Sequence, residues 1–359
     1  MIKYVSRMFS FGFVQKGATL RMLNEFSNGM ILYNKGRYEN ALNQFERCIS
    51  IYDNVKQCNM REYFITKQKI ALCLYKMGNY DKSEKVLIDI IKSTKKKSKI
   101  DSFYLSNLIA LTSYYDINKS EYYIDNIIHN KYNINKEDRV KFLIEASSIK
   151  YSNNKEKEAK NIIESIQSND SLFKAMILHN KGIINECKED LIKAITVLDK
   201  AKISKEDFIK AKSLSLVELC NILINNNEAN HPSKLWWKTT LNHFNDNQTN
   251  LISNSLLFNK FISLLGTLYS DLSQTLISEG LFQKSIDFSF ITKEIDTLYN
   301  NPPLLNSIKF FTYNQYGNSL ISQEKRSLEG NQLLNKASTF NVKEWYNKLS
   351  QLHYLNINI

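Results

Sequence analysis

The side chains best suited to chemistry in this sequence are five histidines, five cysteines and one run of lysines. The helical zinc motif of metalloproteases sets two histidines one helical turn apart with a glutamate after the first. His129, His179, His231, His243 and His353 are scattered and form no such pair. The glycine-rich loops that cradle phosphates are absent, and so is the G-x-S-x-G turn that presents a nucleophilic serine. Cys48, Cys58, Cys73, Cys187 and Cys220 are odd in number, widely spaced and contain no C-x-x-C pair. That pattern predicts buried thiols rather than a disulfide framework or a zinc site. The sequence therefore implies no catalytic residue, metal or cofactor. Lys92, Lys95, Lys96, Lys97 and Lys99 form a candidate basic patch in a chain of net charge +12. Such a patch suits phosphate contacts, so RNA is one candidate ligand. No aromatic residue interleaves the run to stack on bases, which favours a solvated loop.

The scaffold around these residues is legible from composition. Among 359 residues there are only 3 prolines and 10 glycines, too few for the turns of an all-β fold. Apolar residues make up 43%, enough for a large core. Long helices joined by short polar loops are expected. The most apolar stretch, residues 253–277, is interrupted by Lys260 and Asp271, so no membrane span is predicted.

One pattern recurs along the chain. In "KGRYENALNQFERCI", Gly36, Tyr38, Ala41, Phe45 and Cys48 hold fixed places, and "GNYDKSEKVLIDII" repeats them as Gly78, Tyr80, Ser83, Leu87 and Ile90. Weaker copies follow in "INKSEYYIDNII", "KEKEAKNIIESI", "EDLIKAITVLDKA" and "GLFQKSIDFSFIT". The turn positions fall near 36, 78, 115, 154, 189, 280 and 324. Gly29, Ala71, Gly182 and Gly317 each precede a turn by seven residues, two helical turns, and so share one helix face. A small side chain there lets two antiparallel helices approach closely. No single pair can bury its apolar face, so the pairs must stack.

These residues resemble the tetratricopeptide repeat, most fully in "NGMILYNKGRYENALNQFERCISIYD" and "IALCLYKMGNYDKSEKVLIDII". The resemblance extends over residues 22–340, without the helix-opening tryptophan and the closing proline of that family. It implies an all-α, right-handed superhelical solenoid of antiparallel helix pairs, about eight hairpins in all. A C-terminal capping helix over "NVKEWYNKLSQLHYL" would carry Trp345, Leu349 and Leu352 as its apolar stripe. The loop "NNNEANHPSKL", with Pro232 opening the next helix, divides the array into lobes 22–230 and 231–359. Residues 1–21 are basic and lack acidic residues, which resembles a mitochondrial targeting segment with a final cut near Gly17. A basic cytoplasmic N-terminus is the alternative.

The resemblance also implies a protein partner, a helix or an extended segment, held in a concave groove lined by the first helix of each pair. Carboxylate clamping of chaperone tails is disfavoured. The matching inner positions Phe26/Met30, Gln68/Leu72, Leu105/Ile109, Ile144/Ser148 and His179/Ile183 supply no lysine and asparagine pair. Candidate partner contacts are Tyr33, Tyr75, Tyr316 and one of the adjacent Trp236 and Trp237, which point about 100° apart on a helix. The function expected is a non-catalytic interaction scaffold, mitochondrial, serving assembly or maintenance of a larger complex. RNA binding and a cytosolic or trafficking adaptor are the alternatives.

Overall fold

The computed structural model describes residues 16–54, 60–94, 98–129, 134–228, 230–231, 234–247, 252–299, 302–323 and 325–352. Within them every regular element is an α-helix, as expected. The chain forms two compact units, the first ending at Asn135 and the second beginning at Lys136. The lobe border expected at 230/231 therefore falls inside the second unit.

The first unit contains α1 (Lys16–Asn34), α2 (Tyr38–Asp53), α3 (Met60–Lys76), α4 (Tyr80–Thr94), α5 (Ser98–Tyr115) and α6 (Ile117–Ile128). Consecutive helices pack as three antiparallel pairs, α2 packs on α3 and α4 on α5. The second unit contains α7 (Lys136–Ser152), α8 (Glu156–Ser165), α9 (Ser171–Ile184), α10 (Lys188–Lys200), α11 (Lys205–Asn225), α12 (Leu235–Asp246), α13 (Ile252–Asp271), α14 (Thr275–Tyr299), α15 (Pro302–Ile321), α16 (Ser327–Ser338) and α17 (Glu344–Ser350). Its first ten helices are five more pairs. Their leading helices pack side by side in the order α7, α9, α11, α13, α15.

Six of the eight pairs show a close approach between their two helices at a glycine or a serine. A Cβ added to Gly29 would lie 2.6 Å from the Phe45 ring, and one added to Gly266 would lie 2.9 Å from the Phe282 ring. Gly182 abuts Leu191 and Gly317 abuts Leu334 in the same way. Where the trailing helix offers serine, the hydroxyl joins the pair directly. Ser83 donates to the Ala71 carbonyl at 2.6 Å, Ser120 to Ile109 at 3.2 Å and Ser278 to Gly266 at 2.8 Å.

The turn inside a pair is also a repeated object. At Gly36 the helix ends with the residue at φ 72°, its amide bonded to the Tyr33 carbonyl, and the Arg37 amide reaches back to Leu32. That is the Schellman cap, which satisfies the last helical carbonyls. Gly78, Asn154, Glu186, Asn227 and Ser273 repeat it with positive φ and the same two backbone bonds. Only two of these six residues are glycine, and this corrects the expected register. The turn placed near 189 lies at Glu186, and the one placed at 280 lies at Ser273. Gly280 sits inside α14, exposed, and the close-approach glycine of that pair is Gly266. The α5/α6 junction differs: Asp116 caps α6, accepting from the amides of Asn118 and Lys119.

Helix α11 runs for 21 residues, and α12 begins at Leu235. Pro232 lies outside the described residues, as do Cys58, His353 and the leader up to residue 15.

Two substitutions separate these contributions. Gly266→Val should destabilise the second unit by about 1–3 kcal/mol through overpacking against Phe282. Ser273→Gly should stabilise it by roughly 1 kcal/mol, because a side chain at positive φ costs about that much. Urea midpoints of the two variants against the parent check both signs.

Candidate functional site

The leading helices of the second unit differ in kind from the trailing ones. In α8 only Ala159 and Ile163 are buried, a single stripe, whereas α7 and α11 are buried almost all round. A helix covered on every side has more neighbours than one partner can supply. Two sides of each leading helix face its partner and the adjacent leading helices. The remaining cover comes from the end of the chain.

After α16, the chain turns at Asn341, at φ 44°, and α17 packs against both α7 and α15. The helix expected at the end of the array thus lies along leading helices of the unit. The reason lies in its apolar stripe. Tyr346, Leu349 and Leu352 are buried, while Trp345 stays partly exposed, so the helix needs a surface along its length rather than at one edge. Leu352 joins the core cluster that contains Ile144, Ile183, Leu216 and Leu219, residues of α7, α9 and α11.

Polar anchors fix this docking. Ser307 on α15 donates to the Asn347 side chain at 2.8 Å, and Lys348 donates to Asn154 at 2.6 Å while lying over the Tyr151 ring. His179 on α9 completes the set. Its Nε2 lies 2.7 Å from the Gln351 carbonyl and its Nδ1 lies 3.0 Å from the Ser215 hydroxyl on α11. A carbonyl only accepts, so Nε2 carries the proton and Nδ1 accepts from serine. Burial holds this ring neutral, lowering its pKa from 6.5 to about 4, and Lys260 adds to the shift. The hydrogen bond to Gln351 opposes it.

His179 also belongs to a series of polar contacts that join one leading helix to the next. Asn180 donates to Ser148 at 2.9 Å across α9 and α7. Lys260 on α13 pairs with Glu218 on α11, both almost wholly enclosed. Ser263 meets Thr312 at 2.7 Å, and Ser270 meets Ser319 at 2.7 Å, across α13 and α15. Beside α17 lies a cavity of about 150 Å³ whose lining includes Lys260, Ile308, Phe311 and Ser350. Lys260 also sits over the Phe311 ring, 5.7 Å from its centre.

The partner contacts expected from sequence lie elsewhere. Tyr33, Tyr75, Trp237 and Tyr316 are buried in the stack. Tyr33 packs on Tyr38, Tyr75 lies between Tyr80 and Tyr114, Trp237 stacks on Phe261 at 5.6 Å, and Tyr316 stacks on Phe282 at 5.0 Å. Each fills the space between helices, so none presents its ring at the surface. Trp236 is partly buried against the Ile144–Leu219 cluster. In the lysine run, Lys92 is exposed in the last turn of α4. Lys95, Lys96 and Lys97 lie outside the described residues, as does the Lys99 side chain. Among the described cysteines, Cys48, Cys73 and Cys220 are buried, their thiols pushed up by burial, and Cys187 is partly exposed. Among the described residues, no three side chains of metal-binding type gather. Sequence reasoning passed over His179, Asn347, Lys348 and Gln351. The hint available was that His179 occupies an inner-helix position.

The tetratricopeptide repeat family model matches residues 29–54 of the chain. That segment covers the end of α1, its Schellman turn and α2, and contains the Gly29–Phe45 contact. The chain is a helical repeat resembling the tetratricopeptide type. Among solved structures, the P58(IPK) TPR domain aligns over 89% of this chain and 98% of its own at 10% identity. Its TM-score of 0.23 is too low to bear on function. No curated protein matches the chain. No described helix is long and apolar enough to cross a membrane.

Two measurements probe the site. His179 is held neutral when folded but titrates near 6.5 when unfolded, so the unfolded state binds more protons between those values. Stability from this group is present above pH 6.5 and is lost as pH falls towards 4, by about 3 kcal/mol. His243, buried and lowered to about 4 as well, adds in the same direction. His179→Gln keeps a donor but does not titrate, so its urea midpoint should fall less than the parent's between pH 7 and pH 4. In the second measurement, Lys260→Met alone should cost about 3 kcal/mol by stranding the Glu218 charge, whereas Glu218→Leu with Lys260→Met should recover most of it.

Proposed function

We propose that this chain is a non-catalytic protein-interaction scaffold that holds a helical or extended segment of a partner along its leading helices. The observation that carries this reading is the docking of α17 on α7 and α15 through a buried apolar stripe, with the main-chain carbonyl of Gln351, just after the helix, held by His179 of α9. A surface that accepts one peptide segment in this way has the chemistry to accept another. The tetratricopeptide match at residues 29–54 supports the same reading. Protein is preferred to RNA because the anchors on these helices are hydroxyls, an imidazole and a paired lysine rather than a row of free cations.

The scaffold is assigned to mitochondria, in assembly or maintenance of a larger complex, on the strength of the basic, acid-free residues 1–21. Crosslinking of the whole chain in its native cell, followed by affinity purification, should recover a protein crosslinked to the leading helices. RNA retained in place of protein, weakening steeply with salt, would reject the scaffold. Residues 1–30 fused to a fluorescent reporter should direct it to mitochondria, and a cytosolic signal would remove that assignment.

A further inference from the structure

The inner surface of the second unit is occupied by the chain's own C-terminal helix, and the contacts holding that helix have the form of a ligand's. We propose that α17 is a displaceable resident, and that the partner is an amphipathic helix carrying the same stripe, an aromatic residue followed by leucines three and six positions later. This rests on the scaffold reading and names the surface and the partner's chemistry.

Four observations carry it. First, α17 is joined to the stack differently from the paired helices. It is not half of an antiparallel pair, and it lies across helices from the first and last pairs of its unit. Second, the stripe is compact. Tyr346, Leu349 and Leu352 provide the buried apolar surface, a pattern any short amphipathic helix can match. Third, the deepest anchor is indifferent to side-chain identity, because His179 donates to a backbone carbonyl that every peptide possesses. Ser215 donates to the other ring nitrogen, so the second hydrogen bond of the ring is met as well. Fourth, the cavity of about 150 Å³ beside Ser350 leaves room for a larger side chain at that position, lined by Ile308, Phe311 and the Lys260 stem. A helix with leucine or methionine where α17 has Ser350 would set a larger apolar side chain beside that cavity. Displacement requires that an arriving helix bind this surface more tightly than the tethered resident.

The test keeps the whole chain. A site for a specific protease is inserted at Phe340–Asn341, in the turn before α17, and cut after folding. A fluorescent peptide of residues 341–355 is then added in excess and its anisotropy followed. The expected result is saturable binding to the cut protein with the helical signal of the stack unchanged. A Leu349→Asp peptide should bind at least tenfold more weakly, and a Ser350→Leu peptide several-fold more tightly. Hydrogen exchange on the uncut protein should show the α17 amides opening more readily than those of α9 and α11. Absence of exchange while the stack stays folded would overturn the proposal. So would opening of α17 only together with α9 and α11, or equal binding of the Leu349→Asp peptide. Pairing of cut molecules into dimers that exclude the peptide would assign the surface to a second copy and overturn it too. Each of these results leaves the scaffold reading intact, since crosslinking of the whole chain tests that separately.

Discussion

The distance between two antiparallel helices is the constraint on which the rest of this structure depends. Phe45 and Phe282 lie flat against the backbone of Gly29 and Gly266, and that contact exists only because no Cβ intervenes. Once a pair is that close, its remaining apolar side chains project to one side and must find a neighbouring pair. Stacking follows from the pair, and the inner surface follows from stacking. The serine hydroxyls of Ser83, Ser120 and Ser278 achieve the same closeness by another route, turning a steric allowance into a hydrogen bond with the facing backbone.

Along the leading helices of the second unit, the contacts are of another kind. Ser148 with Asn180, His179 with Ser215, and Ser263 with Thr312 are polar side chains that hydrogen-bond directly across adjacent leading helices. Buried polar groups must be paired, so each such contact fixes the offset between adjacent leading helices more narrowly than leucine against leucine would. The price of that definition is an interior that tolerates few substitutions at these positions. His179 and the Glu218–Lys260 pair are the strongest cases, since a proton on the first or a missing partner in the second leaves an uncompensated charge.

Much of the fold was legible because the repeat is written in side-chain size. Gly36, Tyr38, Ala41, Phe45 and their counterparts in the second pair carry enough redundancy to fix helix, turn and partner. The register slipped at Glu186 and Ser273, where a residue that rarely adopts positive φ stands in a Schellman turn. There, the helix packing on both sides decides the backbone and overrides local preference, and in the later case Gly280 draws the turn away from Ser273. The inner surface was less legible. Tyr33, Tyr75, Trp237 and Tyr316 looked like binding residues because large aromatics serve equally for packing and for recognition. The docking of α17 on α7 joins residues such as Asn154 and Lys348, 194 positions apart, and no short-range pattern announces such a contact.

That long-range contact also changes how the second unit must come apart. An open row of repeats frays from its ends, because a terminal pair has a neighbour on one side only. Here a clasp between the first pair and the last gives both ends a second neighbour, so the row behaves as a loop in which loosening any member strains the whole. The clasp joins residues far apart in sequence, which slows folding relative to an open row. Opening the clasp returns the unit to a linear, fraying array. An event at α17 is therefore felt at both termini of the unit at once.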